Sequence, residues 1–256
     1  MLLGHYEILL DGKKDEHCRI QSDVNIRDGL SRIEILRDGA VNIYAESEEK
    51  LERLKRIAEI SLKLASDWVG FGFSRGDLIN LETNERVPPR VYGDITVHSV
   101  KIDHGIFENV ANSLLGANPE SLLFLIRSMV LTPQYNEFSV LSALTALELE
   151  LSEVVPNESL SVAEKLAVLE YLGVLPTSSM EKLKKLNTLR NKLAHGKWKG
   201  DELANAISAV LGGPPSQWVR GPGVMSREAT YKLVEEVTAA IALLSAPKVK
   251  RPSITC

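Results

Sequence analysis

Asn118-Pro119-Glu120-Ser121-Leu122-Leu123-Phe124-Leu125-Ile126-Arg127-Ser128-Met129-Val130 is where the sequence changes character. Asn118 is a helix N-cap type, and Pro119 sits at the first helical position, where its missing N–H costs nothing. Glu120 sets a carboxylate at the positive end of the macrodipole. Leu122, Leu123, Leu125, Ile126, Met129 and Val130 make the segment so apolar that burial is expected. Pro133 is expected to end it. Downstream nearly everything reads as helix, whereas upstream the pattern is mixed.

The next helix is expected from about Asn136 to Val155, with Phe138, Leu141, Leu144, Leu147 and Leu151 at three- and four-residue steps. Ser161 with Glu164, and Ser178 with Glu181, have capping-box spacing, so each is expected to start a helix. The first of these ends near Gly173, a left-handed C-cap type. The second runs from about Ser179 to His195 with Leu183, Leu186, Leu189 and Leu193 on one face. A long irregular segment follows, and Ser226 starts a last helix through Val234, Val237, Ala240, Ile241 and Leu244. Apolar stripes on successive helices predict an all-α bundle over 118–246.

Residues 1–105 predict an α+β domain. Asp11-Gly12 and Asp38-Gly39 are hairpin-turn dipeptides. Around the second, Ile33 and Ile35, then Val41, Ile43 and Ala45, alternate with polar residues, the period of half-buried strands. Ser47 offers an N-cap with Glu48 and Glu49 behind it. Leu51, Leu54, Ile57, Ala58, Leu62 and Ala65 follow at helical spacing, closing near Trp68 and Gly70. A second β-rich stretch runs from about Leu78 to Lys101, broken at Asn84 and Pro88-Pro89. The boundary is expected between Asp103 and Ala117. The tail 247–256 is short and basic and is expected to be disordered. No internal repeat is visible.

The 256 residues are 44% apolar, 25% charged and 5% aromatic, which excludes collagen-like, low-complexity and globally disordered chains. No apolar run reaches the length of a membrane span. The opening Met1–Glu7 lacks a basic region and meets an acid early, so no signal peptide is expected. Cys18 and Cys256 fit neither a metal spacing nor a disulfide framework. The cytoplasm is the expected compartment, and no membrane association or cofactor is expected. A net charge of −4 argues against a broadly basic coat but allows a local basic patch.

Such a patch exists. Between Lys182 and Lys199 stand seven Lys or Arg residues: Lys182, Lys184, Lys185, Arg190, Lys192, Lys197 and Lys199. At its centre is Leu189-Arg190-Asn191-Lys192-Leu193-Ala194-His195-Gly196. An arginine, a polar residue directly after it, and a histidine five positions on, near the end of a bundle helix, resemble the signature of the HEPN family. Ala146-Leu147-Glu148 is similar to the acidic helix often paired with that motif. The resemblance covers about Asn118 to Ala246 and implies a HEPN-like bundle. The first half resembles no family.

The resemblance implies a metal-independent endoribonuclease with a composite site at the interface of a homodimer, releasing a cyclic phosphate and a 5′-hydroxyl. Arg190 would hold phosphate, His195 would transfer protons, Asn191 would orient one of them, and Glu148 would fix Arg190. Single-stranded RNA is the implied substrate. Stress response, toxin–antitoxin control or defence is the implied setting, with a regulatory or antitoxin protein as partner. The residue types suit that chemistry on their own terms. Guanidinium binds phosphate bidentately and stabilises charge growing there. Imidazole moves protons near neutral pH. Cleavage by a 2′-hydroxyl needs a base, an acid and a cation, but no metal, and the sequence offers no metal-ligand cluster. Lys192, Lys197 and Lys199 would track phosphates, and Trp198 and Trp218 would offer stacking surfaces.

Each feature also has a structural reading. His195-Gly196 is equally a helix stop. Arg190 with Glu148 also reads as an ion pair inside the bundle, and Lys182, Lys184 and Lys185 read as a solvated face. Trp198 and Trp218 are more often loop anchors than base platforms. His98 and His104, near Asp94 and Asp103, lack a third ligand. The competing function is a non-catalytic HEPN-like dimerisation or nucleotide-binding module. In a third reading the first domain is a sensor that regulates the bundle.

Overall fold

Alternation at Ile33/Ile35 and Val41/Ile43/Ala45 produces a hairpin whose inward side chains are all buried. Gly39 turns it with φ +90°, a backbone conformation glycine adopts without strain. The computed structural model describes residues 1–10, 16–19, 23–66, 71–73, 78–80, 85–86, 96–99, 102–131, 136–195, 201–220 and 224–246. These fall into two units, Met1–Leu115 and Gly116–Cys256. A sheet-bearing first unit is followed by a mostly helical second one.

The first unit contains β1 (Leu2–Leu10), β2 (Glu16–Arg19), β3 (Val24–Asp28), β4 (Ser31–Ile35), β5 (Ala40–Ala45), α1 (Glu48–Ala65), β6 (Phe71–Phe73), β7 (Leu78–Asn80), β8 (Glu85–Arg86), β9 (Thr96–Ser99) and α2 (His104–Leu114). The main path through the sheet is β3-β4-β5-β1-β2-β9, with β6 and β7 also paired to β1 and β8 paired to β7. All these pairs are antiparallel except β2 with β9. Val24, Ile26, Ile33, Ile35, Val41 and Ile43 turn one face inward. Opposite them lie Leu51, Leu54, Ile57 and Ala58 of α1 and Phe107, Ala111 and Leu114 of α2, all buried.

Ser47 caps α1 by accepting from the Lys50 N–H at 3.2 Å, as its position before two glutamates predicts. The helix ends at Ala65. The helix α2 occupies the stretch read as the boundary and belongs to the first unit. Asp103 caps it by accepting from the Ile106 N–H at 2.9 Å. Phe107, Ala111 and Leu114 form its buried stripe, with Glu108, Asn109, Asn112 and Ser113 on the other faces. Asp11-Gly12, Asn84, Pro88-Pro89, Pro133 and the tail lie outside the described residues.

The second unit contains α3 (Pro119–Leu131), α4 (Asn136–Val154), α5 (Val162–Tyr171), α6 (Thr177–His195), α7 (Glu202–Leu211), a 3-10 turn (Pro215–Gln217), β10 (Val219–Arg220), β11 (Val224–Met225) and α8 (Arg227–Ser245). The helices α3, α4 and α8 form the densest packing, and α6 lies against α4, α5 and α7. No helix among the described residues is long and apolar enough to cross a membrane.

Several local expectations need correction. The segment after His195 is not irregular throughout, because α7 fills much of it and buries Leu203, Ala204, Ala206, Ile207 and Val210. Glycines and prolines downstream of it masked a regular apolar stripe. The helix α3 is not sunk all round: Leu122, Leu125 and Met129 are buried, but Val130 is exposed. Phe138, assigned to the α4 stripe, is exposed as well. Ser161 and Glu164 make the reciprocal capping box, the Ser161 N–H donating to Glu164 at 2.7 Å. These bonds hold the Glu164 carboxyl below its ordinary range. Ser178 and Glu181 make none, because α6 already starts at Thr177, its first turn bonded to the Pro176 carbonyl.

Where the second unit begins, four residues converge. Glu150 of α4 is buried, and its Oε2 accepts from the Asn118 N–H at 2.9 Å. Its Oε1 lies 3.0 Å from the Ser245 hydroxyl at the end of α8. A Cβ on Gly116 would stand 2.3 Å from the Ser245 carbonyl oxygen, so only glycine permits this approach. Burial pushes the Glu150 carboxyl above its ordinary range, against the hydrogen bonds that favour the charged form.

Candidate functional site

Leu183, Leu186, Leu189 and Leu193 are all buried and fix how α6 rolls against its neighbours. That roll sets Arg190, one residue past Leu189, on the flank of the seam between α6 and α4. On α4, the buried Leu144, Leu147 and Leu151 set Glu148 on the facing flank. The two charges meet there. Arg190 Nη2 lies 2.8 Å from Glu148 Oε1 and 3.0 Å from Oε2. Arg190 Nη1 donates to Asn191 Oδ1 at 3.3 Å. The side chains are 31% and 23% exposed, so the pair is half-buried and its outer side is open to solvent.

Behind the pair, between α4, α5 and α6, is a crevice of about 10 Å³ bordered by Leu147, Leu151, Leu183 and Asn187. That is room for about one water and not for a phosphate. An anion reaching Arg190 must therefore come from the solvent side. Asn191 and His195 are both exposed, one helical turn apart. His195 is the last residue of α6. Its imidazole makes no hydrogen bond among the described residues.

The basic stripe is largely answered by carboxylates. Lys182 pairs with Glu236 of α8, Lys184 with Glu170 of α5 at 2.7 Å, and Lys192 with Glu202 of α7 at 3.0 Å. Lys185 has no such partner among the described residues. Lys192 thus carries a carboxylate beside it where a phosphate contact was expected. Lys197, Trp198 and Lys199 lie outside the described residues. Glu170, Glu202 and Glu236 are what sequence reasoning missed. They stand ten or more positions from their lysines, and no spacing rule connects them.

Trp218 is a loop anchor. It is 3% exposed, and its Nε1–H donates to the Gly212 carbonyl at 2.7 Å. Lys232 sits 5.0 Å from its ring centroid. A base cannot stack on it. Asp103 is occupied as the cap of α2, and no group of three potential metal ligands gathers among the described residues. The side chains of Cys18 and His98 are not described.

The arrangement thus brings together Arg190, Glu148 and Asn191, with an exposed imidazole one turn further on that makes no hydrogen bond among the described residues. Chemically it offers one guanidinium oriented by a carboxylate and one accessible proton carrier. Compared with known proteins, the chain matches no family model, and no curated protein or solved structure is detectably similar to it.

Proposed function

We propose that the chain is a metal-independent endoribonuclease of HEPN type, acting on single-stranded RNA as a homodimer. The observation that carries this reading is the exposed imidazole of His195 one turn beyond Asn191, on the same helix as an Arg190 held by Glu148. One protomer has a single histidine at this place, whereas cleavage needs both a base and an acid. A second copy joined through α6 would supply the other. In this reaction one His195 takes the proton of a 2′-hydroxyl as its oxygen attacks the adjacent phosphorus. The P–O5′ bond breaks as the partner copy's histidine protonates the leaving oxygen. A 2′,3′-cyclic phosphate and a 5′-hydroxyl result. Arg190 stabilises the charge that grows on the non-bridging oxygens. The proposed setting is stress response, toxin–antitoxin control or defence in the cytoplasm, under a regulatory protein.

A specific observation favours a second reading, a non-catalytic HEPN-like dimerisation or nucleotide-binding module. Arg190 already spends its guanidinium on Glu148 and Asn191, and three of the neighbouring lysines are matched by glutamates. The deciding experiment incubates the full chain with mixed single-stranded RNA in EDTA, alongside Arg190→Ala and His195→Ala proteins of unchanged circular dichroism. Cleavage leaving cyclic-phosphate ends, lost in both variants, is expected. Cleavage that persists equally in both variants would overturn the assignment of the site. Absence of cleavage with retained dimerisation would favour the module.

A further inference from the structure

β3 ends the sheet: among the described residues it pairs with β4 and with no other strand. Its hydrogen-bonding parity is fixed by its turn. Asp28 and Ser31 flank the two-residue connection Gly29-Leu30 and are paired, so they must be the mutually hydrogen-bonded pair. Alternation then makes Ile26–Ile33 and Val24–Ile35 bonded pairs as well. The N–H and C=O groups of Asn25 and Arg27 therefore point away from β4, off the free edge. They repeat at the two-residue spacing of a strand, which only another extended chain matches.

The edge is open and held in place. It contains no proline, and its register runs from Val24 to Asp28 without a bulge, so two of the devices that blunt an edge are missing from it. Both its ends are tied: Asp23 accepts from the Arg37 N–H at 2.9 Å, and Asp28 pairs with Lys50 at 2.6 Å. Beside it lies a groove of about 460 Å³ between β3 and α2, lined by Asn25, Ile26, Arg27, Glu108 and Asn112. The four polar side chains of that lining have no partner among the described residues, while the neighbouring polar groups at both ends of β3 do. Strand and helix thus flank a slot for an added strand.

Charge specifies the occupant. Val24 and Ile26 are buried on the helix side, and Asn25 and Arg27 are exposed on the other. In an added strand, the residue opposite Arg27 shares the Arg27 face, where a carboxylate complements it. Its sequence neighbours point to the α2 side, where Glu108 is the charge that α2 contributes to the lining. We infer that the slot between β3 and α2 binds an extended peptide from another protein by strand addition. Its main chain pairs with Asn25 and Arg27, and an acidic residue flanked by basic ones is selected. This site lies wholly in the first unit and does not depend on the ribonuclease reading.

The probe is a capped heptapeptide with Lys at alternate positions, Glu at the centre and Thr at the rest. Its control has the same composition with the Lys residues contiguous, which keeps net charge constant. Titrated into isotope-labelled full chain, the probe is expected to shift the Asn25 and Arg27 amide resonances saturably, with a Kd below about 1 mM. The control is expected to bind at least about tenfold more weakly. Asn25→Pro removes an outward N–H that β4 does not use, so the sheet is retained and probe binding is lost. Glu108→Lys, on an exposed helix position, is expected to weaken probe binding about threefold or more and to erase the preference over the control. Unmoved Asn25 and Arg27 amides, or equal binding of both peptides by wild type, would overturn the inference. Self-association of the chain that Asn25→Pro abolishes would equally overturn it, by making a second copy the occupant.

Discussion

Replacing Glu150 with glutamine tests whether the junction at the start of the second unit is built around a neutral acid. Glu150 Oε1 is 3.0 Å from Ser245 Oγ, and that hydroxyl is also 2.7 Å from the Ile241 carbonyl. The hydroxyl has one proton for two acceptors. A protonated Glu150 resolves the conflict by donating to Ser245 Oγ, which then donates to Ile241, while Oε2 still accepts from the Asn118 N–H. Burial raises the carboxyl's pKa in the folded protein, with nearby Glu153 acting in the same direction. The stability it contributes is therefore full below the unfolded value and is lost as pH rises through the raised folded value.

Glutamine reproduces the neutral arrangement, its amide donating to Ser245 and its carbonyl accepting from Asn118. Glu150→Gln is expected to match wild type in acid and to equal or exceed it by up to about 1 kcal/mol at neutral pH. Glu150→Ala loses the hydrogen bonds to Asn118 and Ser245, about 0.5–1.5 kcal/mol each, and buried methylene contacts at about 0.8 kcal/mol each. It should be destabilised by about 2–4 kcal/mol. The assay is urea unfolding followed by circular dichroism between about pH 4 and pH 8, read as the difference between each variant and wild type. Taking the difference removes the parallel contribution of Glu59, which burial also raises. A wild-type-to-Gln gap that stays constant across pH, or a Gln protein about 2 kcal/mol weaker at neutral pH, would refute the reasoning.

Leu186→Ala, at a fully buried position of α6, should cost about 2–5 kcal/mol in the same unfolding assay. Gly116→Ala forces a Cβ to 2.3 Å from the Ser245 carbonyl and should lower stability by about 1–3 kcal/mol. Ser161→Ala should cost about 1 kcal/mol by breaking the capping box, whereas Ser178→Ala, inside α6, should be neutral or slightly stabilising. Equal effects of the two serine changes on the thermal midpoint would show that capping is not what distinguishes them. Glu148→Gln should reduce any RNA cleavage while leaving the fold intact, because Arg190 loses its orienting charge.

What the sequence made legible was local. The β4–β5 hairpin, the cap of α1, and the leucine stripes of α4 and α6 each follow from residues a few positions apart. Two helices escaped: α2 has Phe107, Val110, Ala111 and Leu114 at helical spacing but falls in the stretch taken for the boundary, and α7 merges with the Gly/Pro-rich stretch beyond it. Ser178 was misread because a capping-box spacing has no force once the helix has begun earlier. At the candidate site, the family resemblance was what suggested Glu148 for Arg190, and the pair forms because each lies beside an apolar stripe on a facing helix. The glutamates that answer Lys182, Lys184 and Lys192 were not legible, since helix packing alone brings them into reach.

The meeting of Gly116 with Ser245 has a topological consequence. The first residue of the helical unit meets the end of its last helix, so a chain can enter and leave that bundle without spanning its width. A short bridge would suffice to join those two ends and open the unit elsewhere, at the Gly173 turn for example, without disturbing the bundle's packing. The same coincidence lets such a unit be carried within or appended to other chains as a closed module. Entrance and exit are clasped by Glu150, so fraying of either end should release the other, and the two should exchange their amide hydrogens together.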